Sequence, residues 1–353
     1  MMSFRKGRLS HWELPAGTVW LLTDIAESKG RQDLYTKQAP HALKALREMA
    51  LVQSVESSNR IEGVTVDPKR LRPLVIGHSR PLNRSEEEIQ GYRRALQLIH
   101  TRAGDLAVTP ELIRRLHRTI QEGAGDAGHW KQKDNEIVEL CPGAAPMARF
   151  RPTPAKDTPE AVEELCRLYQ HVLDQERVPP PLTIACFILD FLCIHPFRDG
   201  NGRVARLLTL LALYQQGHEV GRFISLERMV EESREEYYEV LGRSSQGWHE
   251  GRHDLLPWLN YFSAVLRRAY REFAGRAGQV KSPRGAKTTL VAAAMKAFPG
   301  EFTLSDLERA CPGVSRDMVR RVLRDYQRAG ELVCLGRGPG ARWRKKGNTL
   351  KRG

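Results

Sequence analysis

The chain has 353 residues, 41% hydrophobic and 28% charged, which gives room for two or three domains and excludes disorder over most of its length. Its six cysteines, Cys141, Cys166, Cys186, Cys193, Cys311 and Cys334, show no C-x-x-C pair and no finger-like spacing with histidine, which argues against a disulfide framework or structural zinc and for reduced thiols. The net charge is +14, and from Lys281 onward there are 17 Lys/Arg against 6 Asp/Glu, so a basic module follows a nearly balanced body.

The N-terminal stretch lacks the apolar core of a signal peptide, and the apolar run Leu182–Ile194 contains Asp190 and is too short to span a bilayer. A cytoplasmic location with no membrane partner is expected. Pro40–Arg60 carries Leu43, Leu46, Met49, Leu51, Val52 and Val55 at helical spacing, with Pro40 in the first turn and Gly63 placed to cap the end. Ser85-Glu86-Glu87-Glu88 reads as a capping box opening a helix to about Arg102. Thr109-Pro110 opens another helix, and Asp157-Thr158-Pro159 repeats the device before a helix to about Glu176. Between them, Gly128–Pro154 is poorly helical. Its extended segments Asn135–Leu140 and Ala148–Pro152 flank Cys141-Pro142-Gly143 and predict a short hairpin or flap.

Leu182–Ile194 is apolar on nearly all sides and predicts a buried central helix. A second apolar helix is expected over Gly202–Gln216, then helices over Glu227–Arg243 and Asp254–Phe273. Between the two apolar helices stands His195-Pro-Phe-Arg-Asp-Gly-Asn-Gly-Arg-Val-Ala-Arg206. Gly200 and Gly202 let backbone N–H groups approach a ligand without an intervening Cβ. The helix that follows aims its positive end at the same place. Arg203 and Arg206 in that first turn are unfavourable unless a highly charged anion is bound, and guanidinium matches phosphate oxygens bidentately. Asp199 beside phosphates is expected to hold magnesium or manganese, His195 is a candidate general base, Asn201 is expected to offer an amide donor to phosphate, and Phe197 is the apolar anchor of the loop.

This string resembles the signature of the Fic (Fic/Doc) family, H-x-F-x-[D/E]-G-N-G-R-x-x-R, at every fixed position: His195, Phe197, Asp199, Gly200, Asn201, Gly202, Arg203 and Arg206. The resemblance covers roughly Ser54 to Gly242. It implies transfer of the AMP moiety of ATP to a hydroxyl of a target protein, and to the chain itself. His195 then deprotonates the hydroxyl, Asp199 holds the metal, and Gly200, Asn201, Gly202, Arg203 and Arg206 bind the nucleotide. Ser58-Asn59-Arg60-Ile61-Glu62-Gly63 is similar to the family's inhibitory helix, [S/T]-x-x-x-E-[G/N], which implies that Glu62 pairs with Arg206 and blocks placement of the ATP γ-phosphate. Read plainly, Ser58 and Glu62 are an i,i+4 pair. The same glutamate is also compatible with AMP removal, and the resemblance leaves the use of another nucleotide open. Arg149, Phe150 and Arg151 are expected to form a flap that aligns a target segment as an added strand. Tyr237 and Tyr238 are weak candidates for adenine recognition and read better as packing residues.

A small, basic, proline-containing linker is expected near 276–286. Thr288–Phe298, Leu304–Ala310 and Ser315–Ala329 then read as helices, and Glu331–Leu335 and Ala341–Lys345 as strands, a winged helix-turn-helix pattern. In the third helix Val319, Val322, Leu323 and Tyr326 form an apolar stripe, and Arg316, Arg320, Arg321, Arg324 and Arg328 fall largely opposite. Arg316, Arg320 and Arg324 are expected DNA contacts, with Arg337, Arg342, Arg344, Lys345 and Lys346 on phosphates. Protein contacts and homodimerisation are the alternative use of that domain, and a DNA-binding regulator with a nucleotide-sensing body the alternative for the chain. The expected fold class is mainly α: a Fic-fold helical bundle with a small β-hairpin flap and a C-terminal winged helix-turn-helix domain. Its parts are a helical region 1–105, a catalytic core 106–275, the linker, and the domain 287–353.

Overall fold

The computed structural model describes residues 3–38, 40–77, 79–139, 147–279, 288, 291–292, 294–295, 298, 300–311, 314–336, 338 and 340–346. The chain divides into two compact units, Met1–Gln279 and Val280–Gly353.

The first unit is almost entirely helical. Helix α1 spans Ala16–Gln38 and packs along the last helix of the unit. The sequence reading names no element there, because the apolar residues of α1 do not gather on one face. Helix α2 is Pro40–Ile61, and Gly63 closes it with φ +81°, its N–H donating to Arg60 O at 3.0 Å. Helix α3, Pro68–Val75, was not anticipated; Asp67 caps it by accepting from Lys69 N at 2.8 Å.

Helix α4 is Arg84–Arg102. Its cap is Asn83 and not Ser85: Asn83 is extended, and its Oδ1 accepts from Glu86 N at 3.0 Å. The buried Glu86 carboxylate accepts from Leu82 N at 2.9 Å and pairs with Arg70 at 2.8 Å. Helix α5, Pro110–Ile120, is capped by Thr109 as expected. The flap is a two-stranded antiparallel hairpin, β1 Ile137–Glu139 and β2 Met147–Phe150, with Ile137 opposite Phe150. Residues 140–146, including the expected Cys141-Pro142-Gly143 turn, lie outside the described residues.

Helix α6 is Thr158–Asp174 with Pro159 in its first turn. Asp157 makes no side-chain cap, because a 3-10 turn over Ala155–Asp157 already holds it in helical conformation. Helix α7, Pro180–Ile194, is buried except at Pro180 and Leu192. It packs on α6 and on helix α8, Asn201–Gln215, which is itself nearly all buried and rests on α4 and α5. These two apolar helices are the centre of the unit, and the turn between them carries the His195–Arg206 string.

The helix expected over Glu227–Arg243 is two helices, α9 Leu226–Glu232 and α10 Arg234–Ser245. Ser233 breaks it: its Oγ donates to Met229 O at 2.9 Å, and its backbone leaves the helical region, the local competition expected of serine. Helix α11 spans Leu256–Gln279, so residues 276–279 of the expected linker are helical and 280–286 lie outside the described residues. Residues ahead of α1 are tied to the core through Asp190 of α7, which accepts from Ser3 N at 2.6 Å, Ser3 Oγ at 2.7 Å and Trp248 Nε1 at 2.7 Å.

The second unit has its own apolar core: Val291, Met295, Phe302, Leu304, Leu307, Cys311, Val319, Val322, Leu323 and Leu332. Of the helix expected over Thr288–Phe298, residues 288, 291–292 and 294–295 are described, and they are helical. Strand β3, Phe302–Thr303, leads into helix α12, Leu304–Ala310, through a capping box between Thr303 and Asp306. Helix α13, Arg316–Arg328, is capped by Ser315. Strands β4, Leu332–Leu335, and β5, Arg342–Lys345, complete an antiparallel sheet in the order β3-β5-β4. Two strands were expected; the two-residue β3 is too short to carry a periodicity. No disulfide joins the described cysteines, and no helix among the described residues is long and apolar enough to cross a membrane.

Candidate active site

The turn between α7 and α8 is bracketed by two residues in the left-handed region, His195 at φ +51° and Gly200 at φ +79°. For a histidine this conformation costs about 1–2 kcal/mol, so its surroundings must hold it. Phe197, fully buried, stacks on His117 with ring centroids 3.7 Å apart and meets Trp130 at 5.0 Å. His117 Nδ1 accepts from Gly128 N at 2.9 Å, so its other nitrogen carries the proton and donates to Asp199 O at 3.1 Å. The Lys131 backbone N–H donates to Pro196 O at 2.9 Å, and its buried ammonium to Ile194 O at 3.2 Å and Asn135 Oδ1 at 2.9 Å. His117, Trp130, Lys131 and Asn135 thus brace the turn. They were missed in the sequence because they lie in α5 and an irregular loop with no motif of their own.

His195 is half-buried at the end of α7. Its Nδ1 lies 3.3 Å from Leu192 O. A carbonyl can only accept, so Nδ1 carries the proton and Nε2 keeps its lone pair. Burial, reinforced by the Lys131 ammonium, holds the imidazole pKa down to about 4, so the ring is neutral at pH 7 and able to take a proton.

The expected pair of arginines divides in two. Arg203 is fully buried and bound by Glu88 and by Asp199 Oδ2 at 3.2 Å. It braces α8 against α4 and holds Asp199, while its buried Nε has no hydrogen-bond partner among the described residues. Arg206 is held by Ser58 twice, Nε donating to Oγ and Nη2 to the carbonyl, both at 2.8 Å, and Nη2 also donates to Glu62 Oε1 at 2.7 Å. Its buried Nη1 has no hydrogen-bond partner among the described residues. Ser58 and Glu62, one helical turn apart, thus act on a single guanidinium.

Asn201 is part of the turn itself. Its side chain is buried, with Oδ1 accepting from Phe197 N at 2.9 Å and Nδ2 donating to Phe197 O at 2.8 Å. It shapes the turn, and what it presents at the start of α8 is backbone N–H. Gly202 stands in that first turn directly beneath Glu62: a Cβ there would collide with Glu62 Oε1 and stand 3.2 Å from Arg206 Nη1. A carboxylate therefore rests where the free N–H groups and positive end of α8 favour an anion.

Asp199 is exposed; Gln121 Nε2 donates to its Oδ2 at 2.9 Å, and Oδ1 has no hydrogen bond among the described residues. No group of three or more His, Cys, Asp or Glu suited to a metal occurs among the described residues. One open carboxylate oxygen beside an anion site fits an ion such as magnesium, which takes most of its other oxygens from water and phosphate.

His195, Gly202, Glu62 and Arg206 line one cleft together with Ile137 and Phe150 of the flap and Tyr237, Tyr238, Leu241, Gly242 and Ser245 of α10. The last three were not anticipated; small and apolar residues on a helix give no signal until the fold places them. Phe150 stacks on His249 at 5.6 Å, and His249 Nε2 donates to Arg151 O at 2.7 Å. The Arg151 side chain points away, exposed and paired with Glu136 at 3.0 Å. Of Arg149 only the strand position is described.

Residues 107–213 match the Fic/DOC family. The chain is 25% identical over 237 residues to "Protein adenylyltransferase Fic" of Nematostella vectensis, covering 64% of this chain and 49% of that protein. It is 30% identical over 99 residues to a Fido domain-containing protein of Dictyostelium discoideum, covering 27% of this chain and 65% of that protein. It therefore spans about half to two thirds of the curated relatives it matches. A crystal structure of a Fic family protein from Desulfovibrio desulfuricans superposes with a TM-score of 0.62 at 22% identity, over 96% of this chain and 99% of that one, a likeness of fold. The chain contains a Fic/DOC family domain.

Proposed function

We propose that the chain is a protein adenylyltransferase that transfers AMP from ATP to a hydroxyl of a target protein and to itself, and that Glu62 restrains it. The observation that carries this reading is the three-point hold of Ser58 and Glu62 on Arg206, at the anion-favouring start of α8 and in the cleft of His195.

The polyphosphate of ATP lies on the N–H groups of the first turn of α8, where Gly200 and Gly202 admit it. Arg206 takes the terminal phosphate once Glu62 has left. The adenosine end lies toward Tyr237, Tyr238 and Leu241. Asp199 is the residue to hold magnesium or manganese, which supplies charge neutralisation on the phosphates when bound. His195 Nε2 takes the proton of the incoming hydroxyl as its oxygen bonds to the α-phosphorus. The bond to the β,γ-pyrophosphate breaks, and pyrophosphate leaves with the electron pair. Phe150 and the flap present the target segment beside His195. Such chemistry needs positioning and charge stabilisation more than covalent help.

Intact mass after incubation with ATP and either magnesium or manganese tests this. Glu62→Gly is expected to gain one or more AMP, and the same variant carrying His195→Ala none. No gain in Glu62→Gly with either metal would overturn the reading. Loss of AMP from modified protein that depends on Glu62 would point to the removal reaction in its place.

A further inference from the structure

We propose that the second unit is a duplex-DNA-binding surface, built from the exposed arginine row of α13 and the basic strand β5, in a winged arrangement of helices and hairpin. The apolar stripe of α13, Val319, Val322 and Leu323, is buried in the core of the unit. That leaves the opposite face to solvent. On it Arg316, Arg320 and Arg324 stand at successive i,i+4 positions, all exposed, so each is about 6 Å from the next along the axis. The three arginines line one groove with Gly338, Ala341 and Trp343 of the β4–β5 hairpin. The hairpin adds Arg342, Arg344, Lys345 and Lys346, all exposed.

The arginines among them are poorly neutralised. Arg316 reaches Glu308 at 3.4 Å and Arg320 reaches Asp317 at 3.7 Å, while Arg342 and Arg344 share Glu301 at 3.7 and 3.9 Å. Long contacts between exposed groups contribute little, so phosphates can displace them. A membrane is a poor fit, because the exposed large hydrophobics among the described residues, Val19, Trp20, Met49 and Leu82, all lie in the first unit. An exposed helix one diameter wide fits the major groove, with neighbouring basic residues on the phosphates. Arg337 lies outside the described residues.

The test is fluorescence anisotropy of the full chain on a labelled duplex of about two helical turns. Five arginine–phosphate contacts predict that affinity falls roughly 500-fold between about 50 and about 200 mM KCl. With Arg316→Gln, Arg320→Gln and Arg324→Gln combined, the fall should shrink to roughly tenfold, and binding at the lower salt should weaken by more than about tenfold. Arg31→Gln with Arg102→Gln, on exposed surface of the first unit, should change neither. Should the triple variant lose its circular-dichroism melt, Arg320→Gln alone is expected to reduce the salt slope by about one. His195→Ala should bind DNA as the unmodified chain does, which separates this proposal from the adenylyl-transfer reading. Absence of duplex binding at low salt, an unchanged slope in the arginine variants, or preference for single-stranded RNA of equal length would overturn it.

Discussion

Arg206 and Glu62, 144 residues apart in sequence, meet at 2.7 Å between Nη2 and Oε1, on a guanidinium that Ser58 already holds from two sides. The geometry makes the glutamate the exchangeable partner. Ser58 is fully buried within α2, whereas Glu62 lies just past the end of that helix and lines the cleft. Removing the carboxylate leaves Arg206 positioned but short of an anion.

Glu62→Gly should therefore raise AMP incorporation from labelled ATP by roughly 10- to 100-fold, the equivalent of one charge-assisted hydrogen bond of about 1.5–3 kcal/mol. Glu62→Gln, which keeps a weaker acceptor, should fall between. Equal initial rates for the three proteins would show that the contact does not restrain the reaction.

Gly202→Ala separates release of Glu62 from freeing of the site. The added methyl would displace only the end of a flexible side chain, so the protein should fold. It would also stand 3.2 Å from Arg206 Nη1, in the space where an anion belongs. Its rate should stay at or below that of the unmodified chain, and adding Glu62→Gly should not rescue it. An activated Gly202→Ala would move the phosphates away from the first turn of α8.

How far the sequence could be read follows from where the information lies. The string from His195 to Arg206 is contiguous, so its residue types declared an anion site before any fold was known. Central helices α7 and α8 were legible from their continuous apolarity. The two arginines could not be told apart, because only the fold sets Glu88 of α4 against Arg203 and Ser58 of α2 against Arg206. Asn201 looked like a phosphate donor, yet its amide closes the turn on Phe197. Lys131, Gln121 and His117 were invisible for the same reason: each acts on backbone or carboxylate that lies far along the chain. The break at Ser233 was hidden by helical propensity on both of its sides.

Lys131 offers a prediction on pH. Its ammonium lies beside the His195 turn and helps burial keep the imidazole neutral. A general base works only when deprotonated, so activity should fall on the acid side as pH drops through the His195 pKa, about 4. Lys131→Met removes a like charge and should move that acid limb to higher pH. A merely structural role would lower the rate at all pH values without moving the limb. The comparison is best made in a Glu62→Gly background, where turnover is measurable.

Asp190 gives the last prediction, on stability. Burial raises its pKa from the ordinary 3.8 to about 6, against the donors Trp248 and Ser3. A carboxyl whose folded pKa lies above its unfolded value binds more protons in the folded state between the two. Its contribution is thus most favourable below about 4 and is lost as pH rises through about 6. Relative to Asp190→Asn, the unmodified chain should gain about 3 kcal/mol as pH is lowered from 7 to below 4, read from denaturant midpoints at each pH. Other titrating groups are common to both proteins and cancel in the difference. A difference that stays constant with pH would mean that the carboxylate is stabilised by its three donors as fully as it would be in water.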